Sequence, residues 1–292
     1  MTPALLCLLA TLRAEPKGAH VDIAQDVGQD AMSHVTDSRT LDFQMPWGKK
    51  FEFTWPEWQI PIGSHTLDVS ITKHVFFMWV AVLLLLIVVL PGSKARQPGD
   101  SPRGLSGVIE AFVLGIRGIA VSSIGEHDAD RYVPYLCSIA AFILACGLLG
   151  VLPFTATATG NLAVTGSLAL CTLALTLFTG MRSQGVVGYW THLVPKGVPL
   201  ALYPLMIPVE LLSIFTKPFA LTVRLFANMI AGHLVIVILL GLTFIIGSLV
   251  IAPVAVVVSV AVYALDLMII GIQTLIFTLL SATFIGMAAH EH

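Results

Sequence analysis

The chain has 292 residues, 57% of them hydrophobic and only 11% charged, with a formal net charge of −2 and a mean hydropathy of +0.90. Soluble domains carry about 25% charged residues, so the deficit points to a bilayer as solvent, and the near-neutral charge excludes the basic face that a nucleic-acid partner needs. The four cysteines (Cys7, Cys137, Cys146 and Cys171) form no CxxC pair. They are expected to be small buried hydrophobes, with no metal site, disulfide framework or cofactor.

In chain order, residues 4–12 (ALLCLLATL) are apolar but too short to span a bilayer; a signal remnant is one reading. Residues 13–73 are polar and somewhat acidic, with Asp22, Asp26, Asp30, Asp37 and Asp42. Within them FEFTWPEWQIP (51–61) is expected to be a short extended or hairpin segment near the membrane surface. Residues 74–93 carry no Asp, Glu, Lys or Arg and predict a transmembrane helix stopping at Pro91-Gly92. In 104–124, Leu105, Val108, Ile109, Phe112, Ile116 and Ile119 follow helical spacing, while Glu110 and Arg117 share one side. That pattern predicts an amphipathic helix lying in the interface, with a charged spanning helix as the alternative. Tyr132 to Met181 contains no formally charged residue and is broken by PFTATATGN (153–161), which predicts two spans, about 132–152 and 162–181.

Two apolar stretches follow, about 197–240 and 248–289, with the break at Gly241–Pro253. Both exceed the roughly 20 residues of a perpendicular span, so two long, strongly tilted helices are expected. The fold class is therefore an all-α integral membrane protein of about five membrane helices plus one interfacial helix. Lys94, Arg96 and Arg103 mark one loop and Arg182 and Lys196 another, whereas 153–161 and 241–247 have no basic residue. Positive charge stays inside, which places the N-terminal segment outside and the C-terminus in the cytoplasm.

After Lys196 the formally charged residues are Glu210, Lys217, Arg224, Asp266 and Glu291. Arg224 lies between ALTV and LFA. A cation at such a depth costs at least a few kcal/mol, faces a cavity or partner, and marks an ion path. Snorkelling suits Lys217, nearer the inner end, better than Arg224. At 100° per residue, Glu210, Ser213, Lys217, Arg224 and Asn228 fall in one narrow stripe. His233 comes nine residues after Arg224, on nearly the opposite side and about 13 Å further along the axis. On the last helix Asp266 and Gln273 share a face. A His and an Asp on neighbouring antiparallel helices make either a proton relay or a structural hydrogen bond, and these residues alone weigh the two equally.

The segment ELLSIFTKPFALTVRLFANMIAGH (210–233) closely resembles the signature of ATP synthase subunit a: an acid fourteen residues before an essential Arg, a Lys-Pro pair between them, then RLFxNMxAG. The last helix, LDLMIIGIQTLIFTLLSATFIGMAAHEH (265–292), is similar to the family's Gln-containing C-terminal helix, and LPFTATATGNLAVT (152–165) to its outside turn. The resemblance covers about 74–292 and implies a membrane domain there, leaving 1–73 as an outer polar segment. It implies a proton-translocating stator subunit that forms two half-channels against a subunit c ring. Peripheral-stalk subunit b, the ATP synthase complex and membrane lipid are the other implied partners, and a bacterial inner membrane the implied location. By the resemblance Arg224 faces the ring and separates the half-channels. Asn228 and Gln273 are its polar neighbours, His233 and Asp266 match two outer half-channel positions with acid and imidazole exchanged, and Glu210 matches the inner one. Ser213 and Lys217 are supporting. No GxxxxGK[ST] loop occurs, so nucleotide chemistry falls to another subunit.

Two other functions compete with this one. A secondary transporter using Arg224 and Asp266 to bind a small solute would carry internal repeats, which the sequence does not show. A membrane scaffold without transport would have no reason to bury Arg, His and Asp.

Overall fold

The computed structural model describes residues 40–44, 50–54, 56, 59–62, 65–68, 72–92, 104–151, 158–186, 188, 203–246 and 251–290. The signal-like stretch 4–12, Asp22 to Asp37, the basic residues Lys94, Arg96, Arg103 and Lys196, and the start of the 153–161 turn lie outside the described residues.

Two antiparallel hairpins precede the helices: β1 (Thr40–Gln44) with β2 (Lys50–Thr54), and β3 (Gln59–Ile62) with β4 (His65–Asp68). Apolar and polar residues alternate along TLDFQ and KFEFT, the period-2 pattern of a strand. The register sets Leu41 opposite Phe53 and Phe43 opposite Phe51. The extended segment expected around 51–61 is present as β2 and β3, and strands extend it on both sides.

Six helices are long and apolar enough to cross a membrane: α1 (Lys73–Gly92), α2 (Leu105–Ile124), α3 (Ala129–Val151), α4 (Leu162–Gln184), α5 (Tyr203–Ile246) and α6 (Ile251–His290). They turn exposed Trp79, Leu83, Ile87 and Leu90 on α1, and Leu205, Phe215 and Phe219 on α5, outward; apolar surface of that extent belongs against a membrane or another protein. α5 and α6 have 44 and 40 residues, hence lengths of about 66 and 60 Å, twice the roughly 30 Å hydrocarbon core. The break between them is narrower than the sequence implied. α5 runs through Gly241 to Ile246, and Pro253 sits in the first turn of α6, where backbone N–H groups have no intrahelical partner to lose. α2, expected in the interface, also meets the length and apolarity of a span despite Glu110 and Arg117.

The chain divides into two compact units, residues 1–73 with 228–268, and residues 74–227 with 269–292. In the second, α2 and α3 form an antiparallel pair. Gly125, at φ 97°, reverses the chain in a conformation that only glycine adopts cheaply. Arg117 holds the turn from outside, with two hydrogen bonds to the Asp130 carboxylate at 2.6 and 3.1 Å. Between α3 and α4 the chain makes a 3₁₀ turn (Ala158–Gly160), and Asn161 caps α4 by accepting the Ala163 N–H at 2.8 Å.

Small residues set the packing. Ala120, Ala129, Ala140 and Ala282 are fully buried beside Ile124, Leu136 and Ile285. Helices in lipid gain little from hydrophobic burial and rely on close van der Waals approach. The closest approach is at Gly286 of α6, where a Cβ would collide with the backbone carbonyl oxygen of Ser123 at the end of α2. Backbone cannot yield as a side chain can, so Gly286→Ala should destabilise the protein by about 1–3 kcal/mol. The check is the melting temperature of the purified, detergent-solubilised protein; an unaltered melting temperature would show that α6 does not seat against this turn.

Candidate functional site

α5 and the C-terminal half of α6 bound a groove of about 460 Å³, lined chiefly by Leu212, Ser213, Lys217, Arg224, Leu280 and Phe284. Three of the five members of the polar stripe therefore open into one space. Arg224 is exposed, and no acidic side chain pairs with it among the described residues, where the ion pair present is Arg117–Asp130. Lys217 differs. Its Nζ lies 5.5 Å from the centroid of the Phe284 ring on α6, within cation–π range. The next residue, Pro218, has no N–H to give the ladder. Its own carbonyl accepts the Thr222 hydroxyl at 2.9 Å.

The groove thus holds two cations of different kinds. A planar guanidinium keeps its charge at any working pH and offers a forked donor set. An ammonium is held on an aromatic face a little under two helical turns away. Apolar walls keep the local dielectric low, so an anion entering the groove would meet an attraction that bulk water would erase.

The second polar centre lies in the other compact unit. Asp266 is only 4% exposed. Its carboxylate packs against the α5 backbone, where a Cβ placed on Gly232 would come within 2.6 Å of Oδ1 and 2.9 Å of Cγ. Glycine at 232 therefore makes room for the Asp266 carboxylate, one residue before His233. The side chains of His233 and Glu210 are not among the described ones. Gln273 is 9% exposed and does not line the groove, and Asn228 is half-buried.

Sequence reasoning identified the stripe but missed Phe284 and Gly232. Aromatic residues are common on apolar helices, and nothing in Phe284's own neighbourhood marks it as a platform for Lys217. Gly232 stood inside the RLFxNMxAG signature as a spacer; only its contact reveals why a side chain there is costly.

Residues 75–286, which include every residue of the groove and Asp266, match the family model described as ATP synthase A chain. The chain is 41% identical over 281 residues to ATP synthase subunit a of Myxococcus xanthus (strain DK1622), covering 88% of this chain and 92% of that protein. It is 50% identical over 280 residues to ATP synthase subunit a of Anaeromyxobacter dehalogenans (strain 2CP-C), covering 92% and 72%. A third relative, ATP synthase subunit a of Chloroherpeton thalassium (strain ATCC 35110 / GB-78), is 43% identical over 267 residues, covering 90% and 77%.

Phe284→Leu keeps the groove wall apolar but removes the ring quadrupole beneath Lys217. Such a contact contributes about 0.5–1 kcal/mol at an exposed site, a factor of roughly 2–5 in occupancy. Lys217 should then react about two to five times faster with an amine-directed reagent in the solubilised protein, read by mass spectrometry. An unchanged rate would mean that the ring does not restrain the ammonium.

Proposed function

The chain belongs to the ATP synthase A chain family, and on that premise we propose that Arg224 is the fixed charge that separates two proton half-channels. The protein is the proton-translocating stator subunit of a rotary ATP synthase, a multi-pass membrane component that is not an enzyme by itself. The transporter alternative, with Arg224 and Asp266 binding a solute, falls with the family assignment.

In this reading the groove faces a ring of subunit c, each copy bringing one carboxylate past Arg224. At about 4 Å and an effective dielectric of 20, attraction between guanidinium and carboxylate is about 4 kcal/mol. That is a factor of roughly a thousand, enough to favour the ionised carboxylate opposite Arg224 while leaving the ring free to step. The same charge repels an unaccompanied proton, so protons reach the other side only on the ring. Glu210, with Ser213 and Lys217, serves the inner half-channel. His233 and Asp266 serve the outer one, with Gly232 making space for the carboxylate. Asn228 and Gln273 are polar neighbours that orient Arg224. The observation that carries the reading is the groove itself, in which an exposed guanidinium with no acidic partner among the described residues lies in an apolar wall.

The finer assembly follows from the same reading. Subunit b of the peripheral stalk is the other partner, the membrane is a bacterial inner membrane, and residues 1–73 form an outer polar segment ahead of the membrane domain 74–292. α2 lies in the interface, so the chain crosses five times and its ends face opposite sides. Six crossings would put both ends on one side. Cysteines replacing Asp30 and Leu162 should therefore react with a membrane-impermeant reagent from outside, and those replacing Arg96 and Val186 only from the cytoplasm. Outer labelling at Arg96 and Val186 together would refute this orientation.

The central test is Arg224→Ala. In assembled complexes, confirmed on a native gel, it should abolish coupled proton pumping and ATP synthesis and permit passive proton leakage without rotation. Arg224→Lys should fail as well, since an ammonium lacks the planar fork and can lose its charge when desolvated. Wild-type pumping by an assembled Arg224→Ala complex would sink the mechanism. Apolar replacement of His233 or Asp266 should slow proton uptake with assembly intact; undiminished flux in both would leave the pair a structural role only.

A further inference from the structure

Behind the groove a line of hydroxyls crosses three helices. The Tyr135 hydroxyl on α3 lies 2.9 Å from Thr172 Oγ1 on α4, and Thr172 Oγ1 lies 3.5 Å from Ser281 Oγ on α6. Thr172 has one proton to give, and the Leu168 carbonyl, which can only accept, lies 3.2 Å from its Oγ1; the donor count closes if the proton is placed there. Its two lone pairs are then left to accept from Tyr135 and from Ser281, which makes Thr172 the common acceptor. Thr172 and Ser281 are 1% and 0% exposed, so neither hydroxyl has water as an alternative.

Ser281 stands apart on its own helix. Thr274, Thr278 and Thr283 donate back to the carbonyls of Ile270, Thr274 and Leu279, within α6. Ser281 instead reaches across to α4. α6 is apolar nearly all round, and lipid offers no hydrophobic force to choose which of its faces turns inward. A polar contact between helices can make that choice. At 100° per residue, Gln273, Leu280 and Phe284 lie within about 40° of one another, and roughly 60–100° round from Ser281. Holding Ser281 on Thr172 therefore fixes the direction in which the groove-lining Leu280 and Phe284 point, and with them the seat of Lys217.

We propose that Tyr135, Thr172 and Ser281 are positioning residues for proton translocation, a hydroxyl lock that sets the rotation of α6 and thereby the shape of the Arg224 groove. The proposal rests on the reading of that groove as the ring-facing site.

The test uses the whole synthase in vesicles. Thr172→Val keeps shape and removes the shared acceptor. Protons pumped per ATP hydrolysed, normalised to complex assembled on a native gel, should fall about two- to tenfold, the range that one buried hydrogen bond spans. Thr172→Ser should restore pumping. Ser281→Ala should lower it, and the Thr172→Val/Ser281→Ala double variant should be no worse than Thr172→Val alone, because both remove the same link. Independent packing defects would add instead. Arg224→Ala runs alongside: if it pumps normally, the reading of the groove fails; if it is dead while Thr172→Val pumps normally, only the lock fails. Failure of both Thr172→Val and Ser281→Ala to assemble also overturns the proposal, since the hydroxyls would then be needed for folding rather than positioning.

Discussion

A guanidinium cannot shed its charge under any condition in which this protein works, and within hydrocarbon that charge costs at least about 2.5–3.5 kcal/mol. Arg224 therefore demands an arrangement around it. The sequence places it in a stripe with Ser213 and Lys217, and the structure opens that stripe into a groove closed on the far side by Leu280 and Phe284. Among the described residues no acid pairs with Arg224. An anion entering the groove would find that guanidinium unpaired by any described acid, as the proposed role beside a ring of carboxylates requires. Lys217, resting on the Phe284 ring, keeps its own charge in place beside Arg224.

The scaffold that holds the groove is built from closeness rather than bulk. Alanines at 120, 129, 140 and 282 leave the helices little separation, and Gly286 brings α6 onto the backbone of the α2–α3 turn. Such packing has few loose rotamers and transmits position faithfully. The polar contacts then choose among the packings that apolar surfaces alone would leave equal. Asn161 caps α4, Arg117 clasps the α2–α3 turn through Asp130, and the hydroxyls at Thr172 and Ser281 set α6 against α4. Thr172 and Ser281 are buried, where an unpaired polar group would be costly, whereas the Arg117–Asp130 pair is exposed and shapes the turn without that penalty.

Glycine at 232 shapes the second polar centre within its own compact unit. A methyl group there would meet the carboxylate of Asp266, so the acid occupies the volume that a side chain on α5 would otherwise fill. Asp266 is thereby buried close against the α5 backbone at Gly232.

Much of this was legible in the chain itself, because the bilayer imposes simple length and polarity rules. Uncharged runs of about 20 residues had to be helices, and α1, α3 and α4 lie within a few residues of where those runs placed them. A lone Arg between ALTV and LFA had to face something other than lipid, and the 3.6-residue period collected Ser213 and Lys217 on its side. What the sequence could not decide was everything that depends on which helix comes next to which. Phe284 became a cation platform, Gly232 the seat of a carboxylate, and Thr172 the acceptor for hydroxyls 37 residues before it and 109 after it only through contacts between helices. A helix that is apolar on every side carries no periodic signal for its inward face, so the rotation of α6, and with it the groove, belongs to the tertiary structure alone.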